Sequence, residues 1–390
     1  MRIAILGSGG HGWQSLNQYI TSVDHEIDFW YLPVDWGGFT GLFGRLMEKE
    51  NRQFNSKIHN KIVPVFPWGD VNRLIAFFLE YNFTAQLRDN FELRHNLIKA
   101  QNEHLLPSIS SNLIGFCEEL KIDKKTMFEA IAYLGDCLDE INSFYLDLNH
   151  PYTKGSISNF WHNYLFAKEP NMYSFNHFYQ KNGILPYNIS VNFVGKDRFI
   201  LSGFDQDNQL IVGEELIDTN NKPIKAETFF LENIEQEVIT ENDITELTYR
   251  LKLTDYIIIP NGSIANWLPL VNIPSIALLL KEKSEQGKLI AFMNLFHTSN
   301  EFQYSYYIKY LSSLGISPLL IGPRLQHIIL NKKIIEAYQQ QNKFLNHLEN
   351  MEAERYLGCL DIVTQEENPE IEGVKYTSSS ITKILNLLIR

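Results

Sequence analysis

The sequence predicts an α/β fold built on a mostly parallel sheet, and three observations predict it. An aliphatic run at residues 2–6 flows straight into a glycine turn. A helical stretch and a second apolar run follow at the spacing of a strand-helix-strand unit. Two later apolar runs, 256–259 and 289–293, each stop at polar loop residues. Short continuous apolar runs bounded by turn signals mark strands covered on both faces, as in parallel sheets flanked by helices.

Residues 2–6, Arg-Ile-Ala-Ile-Leu, read as the first strand, ended by Gly7. Residues 13–20 read as a helix and 27–32 as the second strand, which stops at Pro33 before the Gly-rich stretch Asp35-Trp36-Gly37-Gly38-Phe39-Thr40-Gly41. This order opens a parallel sheet. From 86 to 150 strand-like runs are few, and Met127, Ile131, Leu134, Leu138 and Ile141 recur at helical spacing, with Asp123 placed to cap that helix. From Pro186 strands return at 188–194, 199–204 and 210–214, the last two joined by the polar turn Asp205-Gln206-Asp207-Asn208, which suits a hairpin. Residues 330–390 read as mainly helical, broken by a polar stretch at 365–372. The expected organisation is a core domain of residues 1–85 and 151–330, a helical insertion at 86–150 and a C-terminal helical appendage at 331–390.

Composition narrows the function classes. The 390 residues carry 46 acids against 34 bases, a net charge of −12, so the surrounding field repels nucleic acid and anionic membrane. The three cysteines, Cys117, Cys137 and Cys359, lie far apart and form no zinc or disulfide pattern, which fits a reducing, cytoplasmic setting. No run reaches the roughly 18 apolar residues of a membrane helix, and residue 2 opens a strand rather than a secretory leader.

The first turn, Gly7-Ser8-Gly9-Gly10-His11-Gly12, follows a strand and precedes a helix. There glycine lets backbone amides approach a phosphate, and the helix N-terminus favours negative charge. The same glycines also serve close packing, and His11 is open to either phosphate contact or plain exposure. The string satisfies the dinucleotide fingerprint through Gly7, Gly9 and Gly12, which keeps an NAD(P)-dependent oxidoreductase in view. A dehydrogenase, however, places an acid at the end of its second strand, about 20 residues after the glycines. Here Asp35 comes late, inside the second Gly-rich loop. Asp35 and Asp70, each near glycine in a loop expected to follow a strand, are candidates to hold Mg²⁺ or a ligand hydroxyl, or else to cap helices. Arg45, one helical turn beyond Gly41, is a candidate phosphate partner or a surface ion pair.

Taken in order, these segments resemble the family of 2-phospho-L-lactate transferase and the bacterial gluconeogenesis factor (CofD/YvcK-like proteins). The family's opening strand and glycine turn match residues 3–12, and its acidic Gly-Gly loop matches Val34-Asp35-Trp36-Gly37-Gly38 through Gly41 and Arg45. Its Pro-Pro-Gly-Asp motif matches Pro67-Trp68-Gly69-Asp70, and its Gly-Asn-Leu-Leu helix start is approximated by His162-Asn163-Tyr164-Leu165. Ile184-Leu185-Pro186, Gly213-Glu214, Pro260-Asn261-Gly262-Ser263 and Asn294-Leu295-Phe296-His297 match its later motifs, as far as about residue 325. Three departures stand out. Trp36 follows Asp35 where the family has a second acid; His162 replaces the motif glycine, an alternative register putting Asn159 in the asparagine's place; and Asn72-Arg73 inverts the usual Arg-Asn.

The resemblance implies a Rossmann-like three-layer α/β/α fold that binds a nucleotide-diphosphate conjugate at the carboxyl ends of its strands. One branch of the family transfers a phospholactyl group from a guanosine diphosphate carrier with Mg²⁺; another comprises UDP-sugar-binding regulators of carbon metabolism and cell shape. On this pattern Gly7, Ser8, Gly9, Gly10, His11, Gly12, Gly37, Gly38, Arg45, Asn163, Gly262, Ser263 and Asn294 are the expected ligand-binding residues. Asp35 and Asp70 are the expected catalytic and Mg²⁺-binding pair. Whether the chain turns over its ligand, and whether it forms a homo-oligomer, are left open by the sequence.

Overall fold

The structure, a computed structural model, describes residues 1–7, 13–34, 68–96, 105–145, 154–195, 199–213, 216–217, 220, 222–233, 237–298, 302, 304–323, 340, 343–345, 356–359, 362–363, 375–376 and 378–389. By its internal contacts the chain divides into two compact units, Met1–Val34 with Asn192–Arg390, and Asp35–Val191.

The first unit carries the main sheet. Its strands are β1 (Arg2–Leu6), β2 (Glu26–Tyr31), β3 (Ile189–Phe193, which begins in the second unit), β4 (Tyr256–Ile259), β5 (Leu289–Phe292), β6 (Leu319–Pro323) and β7 (Tyr356–Cys359). They lie in the order β7-β6-β5-β4-β1-β2-β3, and from β7 to β2 neighbours run parallel, as the sequence predicts. Ile5 stands beside Phe29 on one side and Ile258 on the other, and Ile258 beside Ile290, so aliphatic ladders cross the sheet. Residues 3–6, 257–259 and 289–292 are buried throughout, the reason these strands read as continuous apolar runs rather than alternating ones.

Helices cover both faces. Ala4, Leu6, Ile257, Ile259, Leu289 and Ala291 share a core with Leu247 and Leu251 of helix Thr245–Leu253, Ile276 and Leu280 of helix Pro274–Glu285, and Ile308 and Leu311 of helix Tyr304–Ser313. Side chains of the other parity point to the opposite face. There the Tyr256 hydroxyl donates to Leu388 O of helix Ser378–Leu388, which lies against helix Asn17–Ser22. This is the three-layer α/β/α, Rossmann-like arrangement. Beside it Ile200–Phe204 pairs antiparallel with Leu210–Val212 and with Phe230–Glu232. The predicted turn is there: Asp205 Oδ1 accepts from the N–H of Asp207 and of Gln209 at 2.9 Å each, and Asn208 takes the left-handed φ of 60°.

The second unit is helical: Gly69–Asn82, Ala85–Glu92, Leu105–Glu119, Lys124–Tyr145, Ile157–Lys168 and Met172–Lys181, with a short antiparallel pair of Arg94–Asn96 and Lys154–Ser156. Asp123 Oδ1 accepts from Thr126 N at 2.9 Å, the cap read from the sequence. Met127, Ala130 and Leu134 are buried along the following helix. The helical unit is wider than residues 86–150, because the helices at 69–82, 157–168 and 172–181 cluster with it.

In the C-terminal region the described residues include strands as well as helix. Among its described residues Tyr356–Cys359 is a strand of the main sheet, parallel to β6, and short strands at Lys343–Leu345, Ile362–Val363 and Lys375–Tyr376 precede helix Ser378–Leu388. Four residues including Gly358 give too short an apolar run to be told from a helix segment by periodicity.

Candidate functional site

In a parallel sheet the chain returns to the middle only where the strand order reverses, and the loops leaving the two strands there diverge to open a crevice at their carboxyl ends. In the order β7-β6-β5-β4-β1-β2-β3 that reversal lies between β1 and β4. Gly7 follows β1, and Pro260-Asn261-Gly262-Ser263 follows β4, so two of the predicted glycine loops flank it.

Local geometry ties them together. Gly7 N–H donates to Trp30 O at 3.0 Å, and its φ of +72° turns the chain out of the sheet. A Cβ on Gly7 would lie 2.5 Å from both Asn266 O and Trp267 Cβ, so the absence of a side chain lets the β1 turn pack on the turn after β4. Ser15 Oγ, in the helical turn Trp13–Leu16, donates to Asn261 Oδ1 at 3.0 Å, a second tie between the segments that follow β1 and β4. Ser263 is half-buried, and its Oγ accepts from Ala265 N at 3.3 Å, capping the short turn Ile264–Asn266. Gly262 and Asn261 are half-buried beside it. Asn294, also half-buried, follows β5 just beyond Met293, whose N–H donates to Ile321 O at 2.8 Å. The carbonyls that end β5 accept from two tyrosines: Tyr304 reaches Phe292 O at 3.3 Å and Tyr376 reaches Met293 O at 2.9 Å.

Gly7, Gly262 and Ser263 thus meet at the reversal, with Asn294 one strand along. Ser8, Gly9, Gly10, His11, Gly12, Asp35, Gly37, Gly38 and Arg45 lie outside the described residues. Sequence reasoning passed over Ser15 and Asn261 as partners. The signal was a hydroxyl in the first helix and an amide in the β4 loop, which only the fold brings together.

Asp70 and Asn163 belong to the second unit. Asp70 sits in the first turn of helix Gly69–Asn82, where a carboxylate is favoured by the helix dipole, 3.7 Å from Arg73 Nη1. Asn163 is only 6% exposed, and its Oδ1 accepts from Trp68 Nε1 at 2.6 Å, which gives it a packing partner. Asn159, the alternative register, lies in the first turn of helix Ile157–Lys168, half-buried, its Oδ1 accepting from Asn72 Nδ2 at 2.5 Å. His162 is fully buried. Cys117 is a buried thiol pushed up to about 12 by burial, then by Asp123 and Glu118, so it is inert as a nucleophile.

Among the described residues no group of three or more His, Cys, Asp or Glu is placed to hold a metal ion. Asp70 stands 3.7 Å from Arg73 Nη1, and its expected companion Asp35 lies outside the described residues. No helix among them is long and apolar enough to cross a membrane.

Fold and strand order together define a doubly wound, Rossmann-like α/β protein whose strand order reverses between β1 and β4. The chain is similar over its whole length to two crystal structures from Bacillus halodurans. One is of protein BH3568, at 13% identity with a TM-score of 0.65, covering 98% of each chain. The other describes that protein as a member of the UPF0052 family, at 14% identity with a TM-score of 0.64, covering 99% of each chain. At such identity the likeness establishes the fold. No protein-family model and no curated protein matches the chain.

Proposed function

We propose that the chain is a divergent CofD/YvcK-like protein that binds a nucleotide-diphosphate conjugate, of guanosine or uridine, in the crevice outside β1 and β4. The observation that carries the reading is the packing of Gly7, at the end of β1, on the turn after β4 at the strand-order reversal, with Ser15 tied to Asn261. Neutral backbone amides suit this protein, because a net charge of −12 works against an anionic ligand at long range and leaves short-range donors to hold it. The likeness to a UPF0052 protein supports the same reading, that being the CofD/YvcK-like family.

Two forms of the proposal differ in chemistry. In the transferase form an acceptor hydroxyl attacks the distal phosphorus and gives up its proton as a nucleoside monophosphate leaves; Asp35 and Asp70 would hold the Mg²⁺, which would offset the developing charge. In the regulatory form the same cradle binds a UDP-sugar without turnover. The single acid before Trp36 favours the regulatory form. The NAD(P) reading has nothing further in its support.

A thermal-shift panel of GDP, UDP, UDP-glucose and NADH, each with and without Mg²⁺, tests the proposal. A rise with the guanosine or uridine compounds but not with NADH supports it; no shift with either at millimolar concentration sinks it. Mg²⁺-dependent release of a nucleoside monophosphate, abolished in Asp70→Asn, would select the transferase form.

A further inference from the structure

Four aromatic rings surround one buried imidazole in the second unit. The centroids of Trp68, Phe175, Phe91 and Tyr179 lie 5.0, 5.1, 5.5 and 5.6 Å from that of His162. Neither ring nitrogen of His162 has a hydrogen-bond partner among the described residues. Of the four rings only Tyr179 is titratable, and burial keeps it neutral. Phe175 shares the helix of Tyr179, Phe91 comes from helix Ala85–Glu92, and Trp68 from the residue before Gly69. Among the described residues burial alone acts on His162, with no carboxylate to offset a proton's charge, so the cage fits a neutral imidazole and is hostile to an imidazolium.

Trp68 is the one ring of the four that no helix carries. Its indole N–H donates to Asn163 Oδ1 at 2.6 Å, and its ring stacks on Phe175 at 5.0 Å and 14°. Its carbonyl accepts from Asn72 N–H at 2.6 Å, the first bond of helix Gly69–Asn82, and Asp70 stands two residues on. Trp68 also occupies the place of a motif proline, and His162 that of a motif glycine. A proline would restrict this backbone by its own ring. A tryptophan does not, and the start of the helix is held instead from the side.

We propose that Trp68, clamped between His162 and Asn163, is the positioning residue that fixes the Gly69–Asp70 helix start, and that protonation of His162 releases the clamp. The inference rests on the nucleotide reading only for the part Asp70 plays. Burial holds the His162 pKa well below the ordinary 6.5. A base whose folded pKa is depressed contributes its full stability above about 6.5, and that stability is lost as pH falls below it, because only the opened state takes up the proton. The segment carrying Asp70 is therefore set at neutral pH and loosened in acid.

Hydrogen exchange on the full chain at pH 7.5 and pH 5.0, corrected for intrinsic rates, tests this. The amides of residues 72–75 are expected to open about thirtyfold more at pH 5.0, the ratio for an imidazole of ordinary pKa about 6.5 that stays neutral while caged. Helix Lys124–Tyr145 is expected to keep its protection. In His162→Phe, which fills the cage without a titrating group, the response at 72–75 is expected to vanish. In Trp68→Phe, which keeps a ring and removes the N–H, the same amides open faster at both pH values. An equal acid response in helix Lys124–Tyr145 overturns the proposal, as does an undiminished response in His162→Phe. The comparison of the two helices in the unmodified protein stands even if neither variant folds. GDP and UDP-glucose affinity, followed over the same pH range, is expected to fall in acid in the native chain but not in His162→Phe. Failure of both nucleotides to bind at pH 7.5 sinks the nucleotide reading and leaves the exchange result to decide the clamp.

Discussion

Gly7 has no room for a side chain and no conformation that favours one. Its φ of +72° costs an L-residue roughly 1–2 kcal/mol. A methyl there would also press on Asn266 O and Trp267 Cβ at 2.5 Å, an overpacking that typically costs about 1–3 kcal/mol. Gly7→Ala is therefore expected to lose about 2–5 kcal/mol in urea unfolding, and a loss under about 1 kcal/mol would show that the two turns part easily. Asn163 poses the opposite problem. The sequence marks it as a ligand-reading amide, yet its oxygen holds the Trp68 indole under a nearly closed surface. Asn163→Leu strands that N–H, so about 1–3 kcal/mol of stability should go. If Asn163 packs rather than reads, the ratio of GDP to UDP affinity stays unchanged, and a shift in that ratio would restore the ligand role. What the sequence reveals of single residues is their chemistry, not their neighbours. Gly7 could be singled out because a strand-to-helix turn needs it. The cage of His162 draws on residues 68, 91, 162, 175 and 179, whose meeting no local pattern announces.

Elements are legible where one local force dominates. β1, β4 and β5 are buried on both faces and therefore apolar at every position, and the hairpin at 200–212 is punctuated by Asp205 and Asn208. Helix Lys124–Tyr145 carries both its period and its Asp123 cap. Strand β7 is not legible: its place depends on pairing with β6, where Gly322 faces Gly358, and not on any run of its own. The division into units was similarly hidden, because helices Gly69–Asn82, Ile157–Lys168 and Met172–Lys181 follow strand-like or turn-like sequence and join the helical unit by packing. The start of helix Met172–Lys181 offers an element-scale test. Asn171 Oδ1 accepts from Ser174 N at 2.8 Å, with extended backbone at Asn171 itself. Asn171→Ala is expected to cost about 1 kcal/mol in denaturant unfolding, and Asn171→Asp to be nearly neutral. Equal losses in both would mean that the amide nitrogen, not the capping oxygen, matters there.

For the molecule as a whole the informative quantity is strand order, since it alone determines where loops diverge. Motif order along the chain suggested the family resemblance, but it could not say that the turn after β1 and the loop after β4 flank one crevice. That follows from the long connection that carries the chain from β3 at one edge back to β4 beside β1. A ligand seated there bridges segments separated by some 250 residues of sequence, from Gly7 to Gly262, so it should stabilise the first unit as a body. A ligand that binds only the folded form, present at a hundredfold its Kd, adds about 2.7 kcal/mol. Saturating GDP or UDP-glucose is therefore expected to slow exchange at the amides of residues 3–7 and 257–267 together, by up to about a hundredfold where opening requires the ligand to leave. Protection confined to the second unit would place the nucleotide elsewhere, and protection at 257–267 without 3–7 would mean that the glycine turn after β1 serves packing alone.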